Sequence, residues 1–72
     1  MEEIYLTAVQ EHILILLIKG LERTEIAKGL NIKVSTLNSY IRDMNRNNEC
    51  NLIQLVWMYS QIGTNYKINI TK

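Results

Sequence analysis

The chain has 72 residues, 47% of them hydrophobic and 21% charged, with a formal net charge of +1. That balance fits one small globular domain and excludes a disordered chain. Cys50 and His12 are the only residues of their types, which excludes a disulfide staple and a structural zinc site, and no apolar run is long enough to span a membrane.

A domain this small buries only roughly 60% of the surface its unfolded chain exposes. Tight helix packing and self-association are the remaining routes to stability. Proline is absent and there are three glycines, so long helices joined by short turns are expected. The N-terminus, Met1-Glu2-Glu3, is acidic and unlike a signal peptide. With a lone cysteine it points to a cytoplasmic location.

Thr7 is a good N-cap, with Leu6 before it as a staple, and predicts a first helix running to about Lys19. Ile13, Leu14, Leu16, Leu17 and Ile18 make this helix apolar around much of its surface, as a central core helix would be. Gly20 follows as its C-cap. A short second helix is predicted over about Arg23 to Leu30, where Ile26, Ala27 and Leu30 form one stripe. The small Ala27 lets two helices approach closely, and Asn31 suits the tight turn that ends the helix.

The third helix is predicted over about Val34 to Arg46. Val34, Leu37, Ile41 and Met44 form its inward face, while Ser35, Asn38, Ser39, Arg42 and Arg46 lie off that stripe. Asn45 to Asn51 is a polar break, and a fourth, strongly apolar helix is expected over about Asn51 to Ile62. In the segment 64–72, Tyr66, Ile68 and Ile70 alternate as in a short strand, but the segment is brief and is read as a loosely ordered tail. The expected architecture is therefore an all-α, four-helix domain over residues 1–63 with a C-terminal tail over 64–72.

Charge is distributed unevenly. Glu2, Glu3 and Glu11 make residues 1–12 acidic, whereas Lys19, Arg23, Lys28, Lys33, Arg42 and Arg46 outnumber Glu22, Glu25 and Asp43 in the middle of the chain. The positive charge coincides with the second and third helices. Two helices joined by a three-to-four-residue turn, the second polar on its outer face, form a helix-turn-helix layout. In such a unit the second helix enters the major groove of double-stranded DNA, where Asn reads adenine, Arg reads guanine and Ser reads either. Asn38, Ser39 and Arg42 fall within about one turn of each other and are the candidate base contacts. Periodicity alone leaves a second reading open, the solvated face of an ordinary helical bundle.

Leu6-Thr7, Leu16-Leu17, Gly20-Leu21, Glu25-Ile26-Ala27, Leu30, Ile32, Val34 and Thr36 resemble, without gaps from Leu6 to about Met44, the LuxR-type (GerE-like) helix-turn-helix domain. The resemblance implies four helices, a third that reads the major groove and a fourth that pairs two copies. It places base contacts on Asn38, Ser39 and Arg42 and phosphate contacts on Thr24, Ser35 and Thr36, beside which Arg23 and Arg46 are further phosphate candidates. The sequence departs from the family's pattern at Lys33, where a Ser N-cap is usual, at Asn38 and Tyr40, and in the run Asn45-Arg46-Asn47-Asn48, which is less basic. Fewer cations release fewer counterions and weaken nonspecific binding.

The implied function is a sequence-specific transcription regulator that binds DNA as a homodimer and resembles the stand-alone members of the family, without a built-in sensor. The alternative is a sensorless interaction protein that pairs with a larger LuxR-type regulator and antagonises it. In either case Ile53, Trp57 and Met58, outside the core stripe of the fourth helix, are the expected dimer interface. Cys50 reads as a half-buried loop thiol and His12 as a surface or boundary residue. No phosphate loop, metal cluster or nucleophile–base pair points to an enzyme, a cofactor or a membrane partner.

Overall fold

In the computed structural model, which describes residues 2–71, four helices lie between two strands. The order is β1 (Glu2–Thr7), α1 (Ala8–Ile18), α2 (Arg23–Leu30), α3 (Val34–Asn47), α4 (Leu52–Ser60) and β2 (Tyr66–Thr71). The helices begin and end close to where capping and periodicity put them. The expectation of an all-α domain is wrong, because β1 and β2 pair as a two-stranded parallel sheet in the register Glu2↔Tyr66 to Thr7↔Thr71. Most of the segment read as a loosely ordered tail, Tyr66–Thr71, is thus a strand. A parallel pair needs a crossover connection, and here the connection is all four helices, so no local turn announces the pairing.

Strand β1 alternates: Ile4 and Leu6 are fully buried, while Tyr5 and Glu2 are exposed. The Glu3 carboxylate reaches across the sheet to its register partner Lys67 at 3.2 Å and accepts from the Asn69 amide at 3.3 Å. The Tyr5 hydroxyl, followed by these Asn69 and Lys67 contacts, holds the Glu3 carboxyl below the ordinary glutamate value.

Thr7 ends the strand and starts α1. Its hydroxyl accepts from the Gln10 N–H at 3.1 Å and its own N–H donates to the Gln10 side chain at 3.0 Å, a reciprocal cap. Gly20 closes the helix at φ +91°, a conformation that L side chains rarely adopt.

Ile13 and Leu14 of α1 join Ile4, Leu6, Ile26, Ala27, Leu37, Ile41, Met44 and Leu55 in one core. The inward stripe of α3 is shorter than periodicity indicates: Leu37, Ile41 and Met44 are buried, but Val34, in the first turn, is 38% exposed. On α4 only Leu55 is fully buried, with Leu52, Val56, Met58 and Tyr59 partly buried against the core. The Tyr59 hydroxyl donates to the Glu11 carboxylate at 2.9 Å and ties α4 to α1. Burial, and then this bond, push the Tyr59 hydroxyl pKa up.

Asn48, in what reads as a polar break, docks the end of α3 on β1. Its side-chain oxygen accepts from the Tyr5 N–H at 2.7 Å, and its amide donates to the Tyr5 carbonyl at 2.9 Å and to the Met44 carbonyl at 2.8 Å. One side chain thereby supplies both partners a neighbouring strand would give Tyr5, and it covers part of an otherwise open sheet edge. No helix among the described residues is long and apolar enough to cross a membrane.

Candidate nucleic-acid interface

The pair α2–α3 is held by a short, defined turn. Asn31 ends α2 in the left-handed conformation (φ 57°, ψ 44°). Its N–H donates to the Lys28 carbonyl at 3.1 Å, and the Ile32 N–H donates to the Ala27 carbonyl at 3.0 Å. These bonds satisfy carbonyls at the helix end. At the other end of α2, the Glu25 carboxylate accepts from the Glu22 N–H at 3.1 Å. Ile26 and Ala27 face the core, with Ala27 only 2% exposed, which accounts for a small residue at this position. The N-cap of α3 is Lys33, whose side chain makes no capping bond, as its departure from a Ser N-cap implies.

The face of α3 away from the core carries Ser35, Asn38, Ser39, Arg42 and Arg46, all exposed except the half-buried Ser39. Ser35, Ser39, Arg42 and Arg46 follow at the i, i+4, i+7 and i+11 spacing that makes one stripe of a helix. The Ser39 hydroxyl donates to the Ser35 carbonyl at 3.1 Å, and the Arg42 guanidinium lies 3.4 Å from that hydroxyl. Arg46 pairs with Asp43 at 2.9 Å. Both partners of that pair are substantially exposed, so it costs little to exchange for another anion. The Arg23 guanidinium on α2 donates to the Asn38 side-chain oxygen on α3.

Of the candidate base contacts, Ser39 and Arg42 are therefore adjacent, and Asn38 sits on the flank toward α2, in the hands of Arg23. Of the phosphate candidates, Thr24 is exposed in the first turn of α2, and Ser35 and Thr36 are exposed in the first turn of α3. Helix N-terminal turns are where backbone N–H groups favour anions. Among the described residues Lys28, Lys33 and Arg42 have no carboxylate partner, so the unit offers uncommitted positive charge. Lys28 and Lys33 count in the sequence toward the central positive charge, and Lys33 as a weak N-cap, but neither is among the candidate DNA contacts. Their exposed positions in the last turn of α2 and at the start of α3 follow from the helix boundaries alone.

The three expected interface residues of α4 divide. Ile53 is 82% exposed and Trp57 56% exposed, whereas Met58 is partly buried against the core. Trp57 meets Tyr66 of β2 edge to face, with ring centroids 6.2 Å apart. Cys50 is half-buried, and burial raises its thiol pKa, which keeps it a poor nucleophile at neutral pH. Among the described residues no three His, Cys, Asp or Glu side chains group as metal ligands would.

No family model, curated protein or solved structure matches this chain. The functional reading accordingly rests on the residues and geometry of the α2–α3 unit.

Proposed function

We propose that the chain is a cytoplasmic, sequence-specific DNA-binding transcription regulator of the LuxR-like helix-turn-helix kind, with α3 as the recognition helix. The observation that carries this reading is the outer stripe of α3. Four side chains able to hydrogen-bond follow one another at helical spacing on a helix whose opposite face is locked into the core. Ser39 and Arg42 are the base-reading pair, and Asn38 joins them once Arg23 exchanges its carboxamide partner for a phosphate. Thr24, Ser35, Thr36, Arg23 and Arg46 are the backbone contacts. Such contacts fix orientation, while base edges supply specificity. Two copies related by a dyad through Ile53 and Trp57 of α4 would present two recognition helices to successive grooves.

The test is selection of bound sequences from a random duplex pool, followed by a mobility shift of the enriched site. Enrichment of a site with two half-sites about one helical turn apart supports the dimeric reading. A pool that stays random after repeated rounds overturns sequence-specific binding.

A second reading is favoured by α4. A residue as apolar and exposed as Ile53, beside a half-exposed Trp57, is the kind of patch that marks a protein contact. In this reading the chain pairs with a larger LuxR-type regulator and keeps it from DNA. A chain that binds no duplex on its own but dissociates such a regulator from its operator would favour this reading.

A further inference from the structure

The start of β1, the α3–α4 loop, α4 and the first residue of β2 enclose an open groove of about 590 Å³. That volume is in the range of small-molecule sites. None of the residues on the outer stripe of α3 lines it. Trp57 and Tyr66 stand at 87° to one another and make an aromatic corner. Ile53 and Met58 add apolar surface, and the charged side chains of the lining are two carboxylates, Glu2 and Glu49.

The placement of Glu49 is informative. It holds φ 52°, a left-handed conformation that Gly or Asn adopts at less cost. The loop is pinned there by the Glu49 N–H to the Arg46 carbonyl at 3.1 Å and the Cys50 N–H to the Asn45 carbonyl at 3.0 Å. Lys67, which follows Tyr66 in β2, pairs with Glu3 at 3.2 Å rather than with either groove carboxylate. An aromatic corner attracts a cation over its ring faces. Two carboxylates with no cation among the described lining residues add Coulombic attraction for a cation and repel an anion.

We propose that this groove is a binding site for a small organic cation with an apolar body, such as a lipophilic ammonium, guanidinium or phosphonium. The cation sits in the Trp57–Tyr66 corner with its charge toward Glu2 and Glu49, and its apolar body covers Ile53 and Met58. This site is independent of the DNA-binding reading. It does share Ile53 and Trp57 with the proposed α4 dimer contact, so the ligand and the second copy compete for the same surface.

Trp57 is the only tryptophan of the chain, so its emission reports the groove directly. The full chain, held at a concentration where it is monomeric, is titrated with tetraphenylphosphonium and, separately, with tetraphenylborate. The two ions have nearly the same shape and opposite charge. Saturable change of Trp57 emission is expected for the cation, with affinity at least about tenfold above that for the anion. In the Glu2→Gln/Glu49→Gln variant the preference should shrink to about threefold or less. Glu49→Gln alone should lie between, and a thermal melt checks that each variant is folded. Equal affinity for both ions, tighter binding of the anion, or no saturation by the cation overturns the proposal. So does a folded double variant that keeps the full preference. If the double variant fails to fold, the comparison of the two ions on the unmodified chain decides.

Discussion

Asn48→Ala probes how α3 is held, because one side chain makes two bonds from the end of that helix to the backbone of β1 and a third back to the helix's own Met44 carbonyl. The variant removes the acceptor of the Tyr5 N–H and the donor to the Tyr5 and Met44 carbonyls. A hydrogen bond contributes about 0.5–1.5 kcal/mol net. The two bonds to Tyr5 are exposed, so water replaces part of what is lost, and the bond to Met44 is partly buried. The expected loss is about 2 kcal/mol. A chain of 72 residues has roughly 4–11 kcal/mol of stability in all, so the loss is a large fraction of it. At about 4–8 °C per kcal/mol for a domain of this size, Tm should fall by roughly 8–16 °C.

Thermal and urea denaturation followed by circular dichroism measure the loss, and hydrogen exchange at the Tyr5 amide locates it. Asn48→Asp keeps an acceptor for the Tyr5 N–H but sets a carboxylate against two carbonyl oxygens, so it should destabilise at least as much. A Tm within about 2 °C of the unmodified chain would show that Asn48 is a solvated loop residue, and that the α3–β1 dock is held by apolar contacts alone.

Other expectations follow from the same geometry. Ala27→Leu forces four-carbon bulk into a core position that is 2% exposed and should cost about 1–3 kcal/mol or more; an unchanged melt would mean that α2 does not bury this face. Arg42→Ala should leave the melt unchanged and weaken the selected DNA site by roughly 1–3 kcal/mol, and equal affinity would misplace the reading face. Glu3, whose folded pKa lies below its ordinary value of 4.5, contributes stability that is fully present above that value and is lost as pH falls through the lower folded value. The acid limb of Tm against pH should therefore be shallower in Glu3→Gln, and superimposable limbs would remove the carboxylate from the account. Ile53→Glu should abolish micromolar self-association in sedimentation without changing the fold, because Ile53 is 82% exposed. A monomeric unmodified chain at tens of micromolar would dismiss the α4 interface.

The helices were legible because their signals are local. Thr7 with Gln10, Asn31 in the turn, and Leu37, Ile41 and Met44 at helical spacing each act within a few residues. The sheet was not, because Glu2–Thr7 finds its partner only at Tyr66–Thr71 and pairs in parallel, without a hairpin. The alternation of Ile4 with Leu6 and of Tyr66 with Ile68 was present, but each segment is six residues long and neither predicts the other. Asn48 read as part of a polar break because the strand it docks on, through the Tyr5 backbone, lies 43 residues away. The same long-range pairing brings Tyr66 against Trp57, so a residue counted as loose dimer surface is partly covered by the chain's own C-terminal strand. The candidate DNA face was legible in its residue types, whereas the Arg23–Asn38 link depends on how α2 crosses α3 and has no signature in spacing.

The central claim is that α2–α3 engages the DNA backbone and bases, and the salt dependence of binding tests it most directly. If Arg23 and Arg46 each neutralise one phosphate in both subunits of a dimer, log affinity against log salt should fall with a slope of roughly −3 to −4. Replacing Arg46 with Ala should then lower the magnitude of that slope by about 2 in the dimer. A flat salt profile, or a slope unchanged in the Arg46 variant, would contradict the account.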